Sequence, residues 1–122
     1  MIMTTKLRVL FLDDEQYRHV LFKKVYDRAD HCYSYEDTVA LLNQSEYNVM
    51  SLDHDLGWGK KDGTALAQFI ADRDIKADAI ILHSYNNAGV LRMKAFLQDN
   101  AKQIFCIPFG FNLEIYKSLN QL

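Results

Sequence analysis

Tyr47-Asn48-Val49-Met50-Ser51-Leu52-Asp53-His54-Asp55-Leu56-Gly57 begins as an apolar stretch and runs into three consecutive ionisable side chains. The apolar part reads as a buried strand. Clustered charge at the end of such a strand is costly, and stability alone would place apolar or turn residues there, so the ending marks a site. Two other predicted strands end in the same way. Leu10-Phe11-Leu12 runs into Asp13-Asp14-Glu15, and Ile80-Ile81-Leu82 runs into His83-Ser84.

Outward from this stretch, strands and helices alternate. Leu7 to Asp13 is nearly all apolar without period-two alternation, which suits a strand covered on both faces. A helix is predicted over about Glu15 to Arg28, with Tyr17, Val20, Leu21 and Val25 as its apolar face. A short strand follows at Cys32 to Tyr35, then a helix over Asp37 to Leu42 that opens on acidic residues. The third strand covers Asn48 to Asp53, Gly57 to Gly63 is a loop, and Thr64 to Asp72 is helical. Ala79 to His83, Ala88 to Asp99, Ile104 to Ile107 and Asn112 to Leu119 supply strand, helix, strand and a final helix.

Five strand–helix units in series argue for a parallel sheet with helices on both faces, one domain over residues 1–122. Right-handed crossovers narrow the choice, and a flavodoxin-like three-layer αβα sandwich with strand order 2-1-3-4-5 leads. In that order strands 1, 3 and 4 are neighbours, so their polar ends meet at one edge, where open α/β sheets bind ligands. Cys32 and Cys106 fall on opposite edges, four spacings of about 4.8 Å apart and far beyond the roughly 7 Å reach of a disulfide. Both are expected as buried free thiols.

Composition bounds the partners. Fourteen basic against sixteen acidic residues leave no general footprint for gripping duplex DNA, while a small phosphorylated ligand fits. No apolar run approaches the roughly 20 residues that span a bilayer, and Met1 to Lys6 lacks a secretory apolar segment, so no membrane partner and a cytoplasmic location are expected. Oligomeric state is not legible.

Converging carboxylates raise one another's pKa unless a cation sits between them. Asp13, Asp14 and Asp53 are therefore candidate ligands for Mg²⁺ or Mn²⁺, although Asp13 or Asp14 would also serve as a helix cap or first-turn partner. His54 and His83, on neighbouring strand ends, suggest an acid–base pair for phosphoester cleavage. Ser84, Asn86 and Gly89 precede or open a helix, where N–H groups attract phosphate, unless Ser84 or Asn86 merely caps that helix; Asp55 either caps its loop or joins the substrate contacts. Trp58 and Tyr85 either stack on a base or cover the sheet edge. His19 and His31 read as surface or packing residues.

At these residues the chain resembles the cyclic-phosphate processing receiver-like family, a divergent branch of the response-regulator receiver fold. The matching pieces are Leu12-Asp13-Asp14-Glu15, Ser51 to Gly57 with Gly63 after it, and His83-Ser84 followed by Asn86, Gly89 and Met93. The resemblance implies a flavodoxin-like fold, a metal held by the strand-1 and strand-3 aspartates, and a metal-dependent phosphoesterase that processes a cyclic phosphate on a nucleotide or RNA end. The alternative is a non-catalytic signalling or cyclic-nucleotide-binding module. Three positions depart from the pattern. Gln16 stands where an arginine is expected, leaving Arg18; Val90 replaces a basic residue; and Ile107 precedes Pro108 where ordinary receivers carry lysine.

Overall fold

The computed structural model describes residues 7–111 and 113–119. Five parallel strands, β1 (Val9–Leu12), β2 (Asp30–Cys32), β3 (Val49–Leu52), β4 (Ala77–Leu82) and β5 (Ala101–Cys106), form one sheet. Its order is β2-β1-β3-β4-β5, the order the sequence predicts. Five helices connect and flank them: α1 (Gln16–Val25), α2 (Tyr35–Gln44), α3 (Gly63–Asp72), α4 (Asn87–Leu97) and α5 (Leu113–Leu119). The predicted start of the last helix at Asn112 lies outside the described residues.

Every residue of β1 and β3 is buried, which accounts for their unbroken apolar character. Leu12, Leu52 and Leu82 pair across β1, β3 and β4, so the residues that follow them leave the sheet at one level. Side chains alternate between faces along each strand. Leu10, Leu12, Met50, Leu52, Ile80 and Leu82 pack into an aliphatic core with residues of α3 and α4. Val9, Phe11, Val49 and Ile81 join an aromatic core with Phe22, Tyr26, Phe109 and Tyr116. Helix starts are fixed by local chemistry: Ser34 accepts from Asp37 N–H at 3.0 Å, Asp62 from Ala65 N–H at 3.1 Å, and Asn86 from Gly89 N–H at 3.0 Å.

Three expectations change. The second strand is Asp30–Cys32 and not Cys32 to Tyr35, because Ser34 caps α2 and Tyr35 begins it. On α1 the buried residues are His19 and Phe22, while Tyr17 and Val20 are 57% and 44% exposed. The helix is turned by its aromatic partner, because Phe22 stacks on Phe11 with ring centroids 4.2 Å apart. Cys32 is a buried thiol as expected, but Cys106 is exposed on the edge strand β5.

Candidate metal and phosphate site

The residues one step beyond the strands inherit the alternation. Asp13 and His83 turn to the aromatic face and meet over β3, where small Ser51 leaves space for the His83 ring to cross. That ring stacks on Phe11 at 5.0 Å and places Nε2 2.9 Å from Asp13 Oδ2. Its Nδ1 is 2.8 Å from Ser51 Oγ, and Ser51 in turn is hydrogen-bonded to the Tyr116 hydroxyl from α5. Asp13, Asp53 and His83 are buried, and one ligand atom from each lies within 4.8 Å of the others.

His54 leaves the strand on the opposite face. Its Nδ1 is 2.7 Å from Asp55 Oδ1 and its Nε2 is 2.9 Å from Thr64 Oγ1. The ring lies against α4: a Cβ built on Gly89 would come within 2.5 Å of the His54 ring. The two imidazoles therefore do not form the expected acid–base pair. They belong to different layers, and each has both ring nitrogens engaged.

A pocket of about 220 Å³ opens above the carboxylates. It is lined by Asp14, Glu15, Arg18, Asp53, Asp55, Ser84, Tyr85 and Asn86, and by neither imidazole. Arg18 enters from α1, its Nη1 3.2 Å from Asp13 Oδ2 and 3.8 Å from Asp53 Oδ2. It is the cation that faces the acidic cluster from the first turns of α1, although the sequence pattern places it two positions late. Asp55 accepts from Asn86 Nδ2 at 3.1 Å as well as meeting His54. Gly89 does not offer its N–H to a ligand, because the Asn86 cap takes it. Ser84 Oγ accepts from Asn86 N–H at 3.0 Å and still lines the pocket.

The charges are strongly coupled. Burial and the neighbouring Asp13 push the Asp53 carboxyl up to about 8, against the opposing pull of Arg18. Burial acts the same way on Asp13, but the hydrogen bond from His83 and the Glu15 N–H outweigh it and hold Asp13 below the usual carboxylate range. Asp14 is raised by burial and by the charge of Asp13. Burial lowers His83 despite its contact with Asp13, so the pair is read as carboxylate and neutral imidazole. Asp13, Asp14 and Asp53 thus form a site short of positive charge, and a divalent cation suits it.

Ser51, Thr64 and Tyr116 were not singled out by pattern alone. A hydroxyl inside the otherwise apolar Val49–Leu52 strand is the signal that marks Ser51, and no local pattern marks Thr64 or Tyr116. His19 is a packing residue, not a surface one: it stacks on Tyr33 at 3.9 Å, and its Nε2 is 2.7 Å from the Asp13 carbonyl oxygen. His31 joins it through a 2.7 Å contact between Nδ1 atoms. A larger groove, about 1060 Å³, lies at the other end of the strands. Some of its charges are paired locally, as in Lys76 with Asp74 and Lys102 with Asp78, and among the described residues it holds no group of three metal-ligating side chains.

The fold and the acidic pocket define a receiver-type domain. Solved structures agree on the fold. A two-component response regulator from Clostridium difficile superposes with a TM-score of 0.67 at 16% identity, covering 95% of this chain and 93% of that one. Response regulator TrrA from Thermotoga maritima, in complex with Mg²⁺-BeF, gives 0.65 at 21%, covering 95% and 98%. The Mn²⁺-bound form of response regulator Rcp1 gives 0.67 at 15%, covering 96% and 94%. No curated protein matches the sequence significantly. The profile of the cyclic-phosphate processing receiver domain matches residues 8–99, and the chain belongs to that family. Among the described residues no helix is long and apolar enough to cross a membrane.

Proposed function

We propose that this domain is a metal-dependent phosphoesterase that opens a cyclic phosphate carried by a nucleotide or an RNA end. The observation that carries the reading is the convergence of Asp14, Asp53 and Arg18 on one solvent-reached pocket at the ends of β1 and β3, with Asp13 buried behind it 3.2 Å from Arg18. Mg²⁺ or Mn²⁺ would be held by the three carboxylates, and a bound divalent cation supplies charge for phosphate oxygens and acidifies water. Arg18 and the Ser84 hydroxyl line the same pocket and are placed to bind the phosphate. Water adds to phosphorus, one ring P–O bond breaks, and a phosphomonoester with a free hydroxyl results. Neither imidazole lines the pocket: His83 stands behind it beside Asp13, and His54 supports it through the packing of α3 and α4.

The test is a panel of cyclic mono- and dinucleotides and 2′,3′-cyclic-phosphate RNA ends, incubated with Mn²⁺, with Mg²⁺ or with EDTA. Ring opening should require metal and should disappear in Asp53→Asn. No turnover across the panel, or turnover that survives Asp53→Asn, would reject the reading. A signalling role is the second possibility, favoured by Asp53 and Ser84 standing where the receiver pattern has its phospho-acceptor and switch hydroxyl. Ile107 in the lysine position opposes it, since the cation that would hold a transferred phosphoryl group is missing. Acetyl phosphate should leave no long-lived adduct by intact-mass spectrometry; stable stoichiometric phosphorylation of Asp53 would establish the signalling role instead.

A further inference from the structure

The buried row of Asp13, Asp53 and His83 contains a nitrogen ligand that an all-oxygen cation site would not need. His83 Nε2 and Asp13 Oδ2 are 2.9 Å apart. That is the length of an ordinary hydrogen bond, and adjacent ligands of an octahedral cation with bonds near 2.1 Å stand about 3.0 Å apart, so a cation replacing the proton between the two atoms needs little change in their separation. We infer that His83 Nε2 ligates the cation held by Asp13 and Asp53, making a mixed carboxylate–imidazole centre that prefers transition metals such as Mn²⁺ to Mg²⁺. This rests on the cation site proposed above and names the class of metal it takes.

The surroundings of the ring supply an independent reason. A metal-binding imidazole has its other nitrogen held by an oxygen partner, which fixes the ring. His83 Nδ1 has that partner in Ser51 Oγ at 2.8 Å, backed by the Tyr116 hydroxyl. Hydroxyls both donate and accept, so this support tolerates either tautomer. Without a cation the His83 proton sits on Nε2 facing the Asp13 carboxylate; Ser51 then donates to Nδ1 and accepts from Tyr116. With a cation on Nε2 the proton sits on Nδ1, Ser51 accepts it, and the Ser51 proton turns to Tyr116. The imidazole stays neutral in both states, and neither ring nitrogen is left without a partner. A carbonyl at the Ser51 position would serve only the second state. Arg18, 3.2 Å from the same Asp13 oxygen, is the group a metal displaces. Imidazole nitrogen suits transition metals, whereas Mg²⁺ takes oxygen ligands and keeps much of its water.

Pulsed electron paramagnetic resonance on the full chain loaded with Mn²⁺ tests this directly. The spectrum should show ¹⁴N modulation from a directly bound nitrogen, replaced by the ¹⁵N pattern when the chain is labelled with ¹⁵N-histidine. Labelling requires no substitution, so the result does not depend on a His83 variant folding; His83→Gln, where folded, should abolish the modulation. Mn²⁺ should bind at least tenfold more tightly than Mg²⁺ in competition. Mn²⁺ bound through oxygen alone, equal displacement by equimolar Mg²⁺, or no bound Mn²⁺ would each overturn the assignment. A chain that binds Mn²⁺ through nitrogen and hydrolyses no cyclic phosphate would refute the phosphoesterase reading and leave this one standing.

Discussion

The two faces of the sheet are built from the same strands and end in different chemistry. On the α3/α4 face an aliphatic core rises to His54, whose ring is closed in by Thr64, Asp55 and the bare backbone of Gly89. On the α1/α5 face an aromatic core rises to Asp13, Asp53 and His83, with Arg18 reaching over them. Two histidines one strand apart thus have unlike tasks, packing in one case and holding a carboxylate in the other. Identity is equal and level differs by one residue, since His83 stands one position past Leu82 and His54 two past Leu52; that single step reverses the face each side chain takes.

The comparison breaks most readily at the glycines of the first face. A Cβ at Gly63 would stand 2.7 Å from the Asp53 carbonyl oxygen and 2.8 Å from His54 Cα, both backbone atoms that cannot swing aside. Gly63→Ala should therefore cost about 3 kcal/mol or more in chemical denaturation, at the severe end for a single substitution. A cost under about 1 kcal/mol would show that this face yields more than its packing suggests.

His54→Ala should be next, losing about 2 kcal/mol from the cavity and the partners left unpaired. Mn²⁺ affinity per folded molecule should stay within about threefold of wild type, since the ring makes no contact with the carboxylate row. A large loss of affinity with intact circular dichroism would place His54 in the site after all.

On the other face the sharper tool is pH. The folded Asp53 carboxyl titrates near 8 and its unfolded value is 3.8, so the folded state holds the proton more tightly. Its stabilising contribution is full below the unfolded value and is lost as pH rises towards 8. His19, His31 and His83 are lowered by burial from 6.5, so their contribution grows with pH and is nearly complete at neutrality. Between pH 7 and 8 in EDTA, Asp53 should remove about 1 kcal/mol and the histidines return about 0.4 kcal/mol, a net fall of about 0.6 kcal/mol followed as the urea midpoint. Asp53→Asn should flatten that slope, and so should saturating Mn²⁺. A slope unchanged in Asp53→Asn would assign the loss to another group.

Trp58 should have the smallest effect. It is fully exposed in the loop between β3 and α3, and Trp58→Ala should change stability by less than about 0.5 kcal/mol by the same urea midpoint. A larger change would mean that the loop packs on the domain.

Strand order and site level were legible because strands buried on both faces announce themselves as apolar runs, and because Asp13, Asp53 and His83 each follow a leucine. Parity was harder to use. The row becomes visible only once Leu12, Leu52 and Leu82 are known to be in register, and without register His54 and His83 look like partners. Helix α1 misled for a related reason: its period allows two faces, and a tertiary contact between Phe22 and Phe11 chose the one that buries His19 and exposes Tyr17. Tyr116 lies 65 residues from Ser51, a separation across which no local pattern speaks.

Trp58 has one practical consequence, because it is the chain's single tryptophan and stands in full contact with water. Its emission in the native protein should therefore resemble that of the unfolded chain, so that circular dichroism is the better probe of denaturation. The same indole stands in the loop that leads from Asp53 to α3, with a dark background around it. A nucleobase that settles against this loop will quench it or shift it to shorter wavelength, giving an optical titration that needs no label.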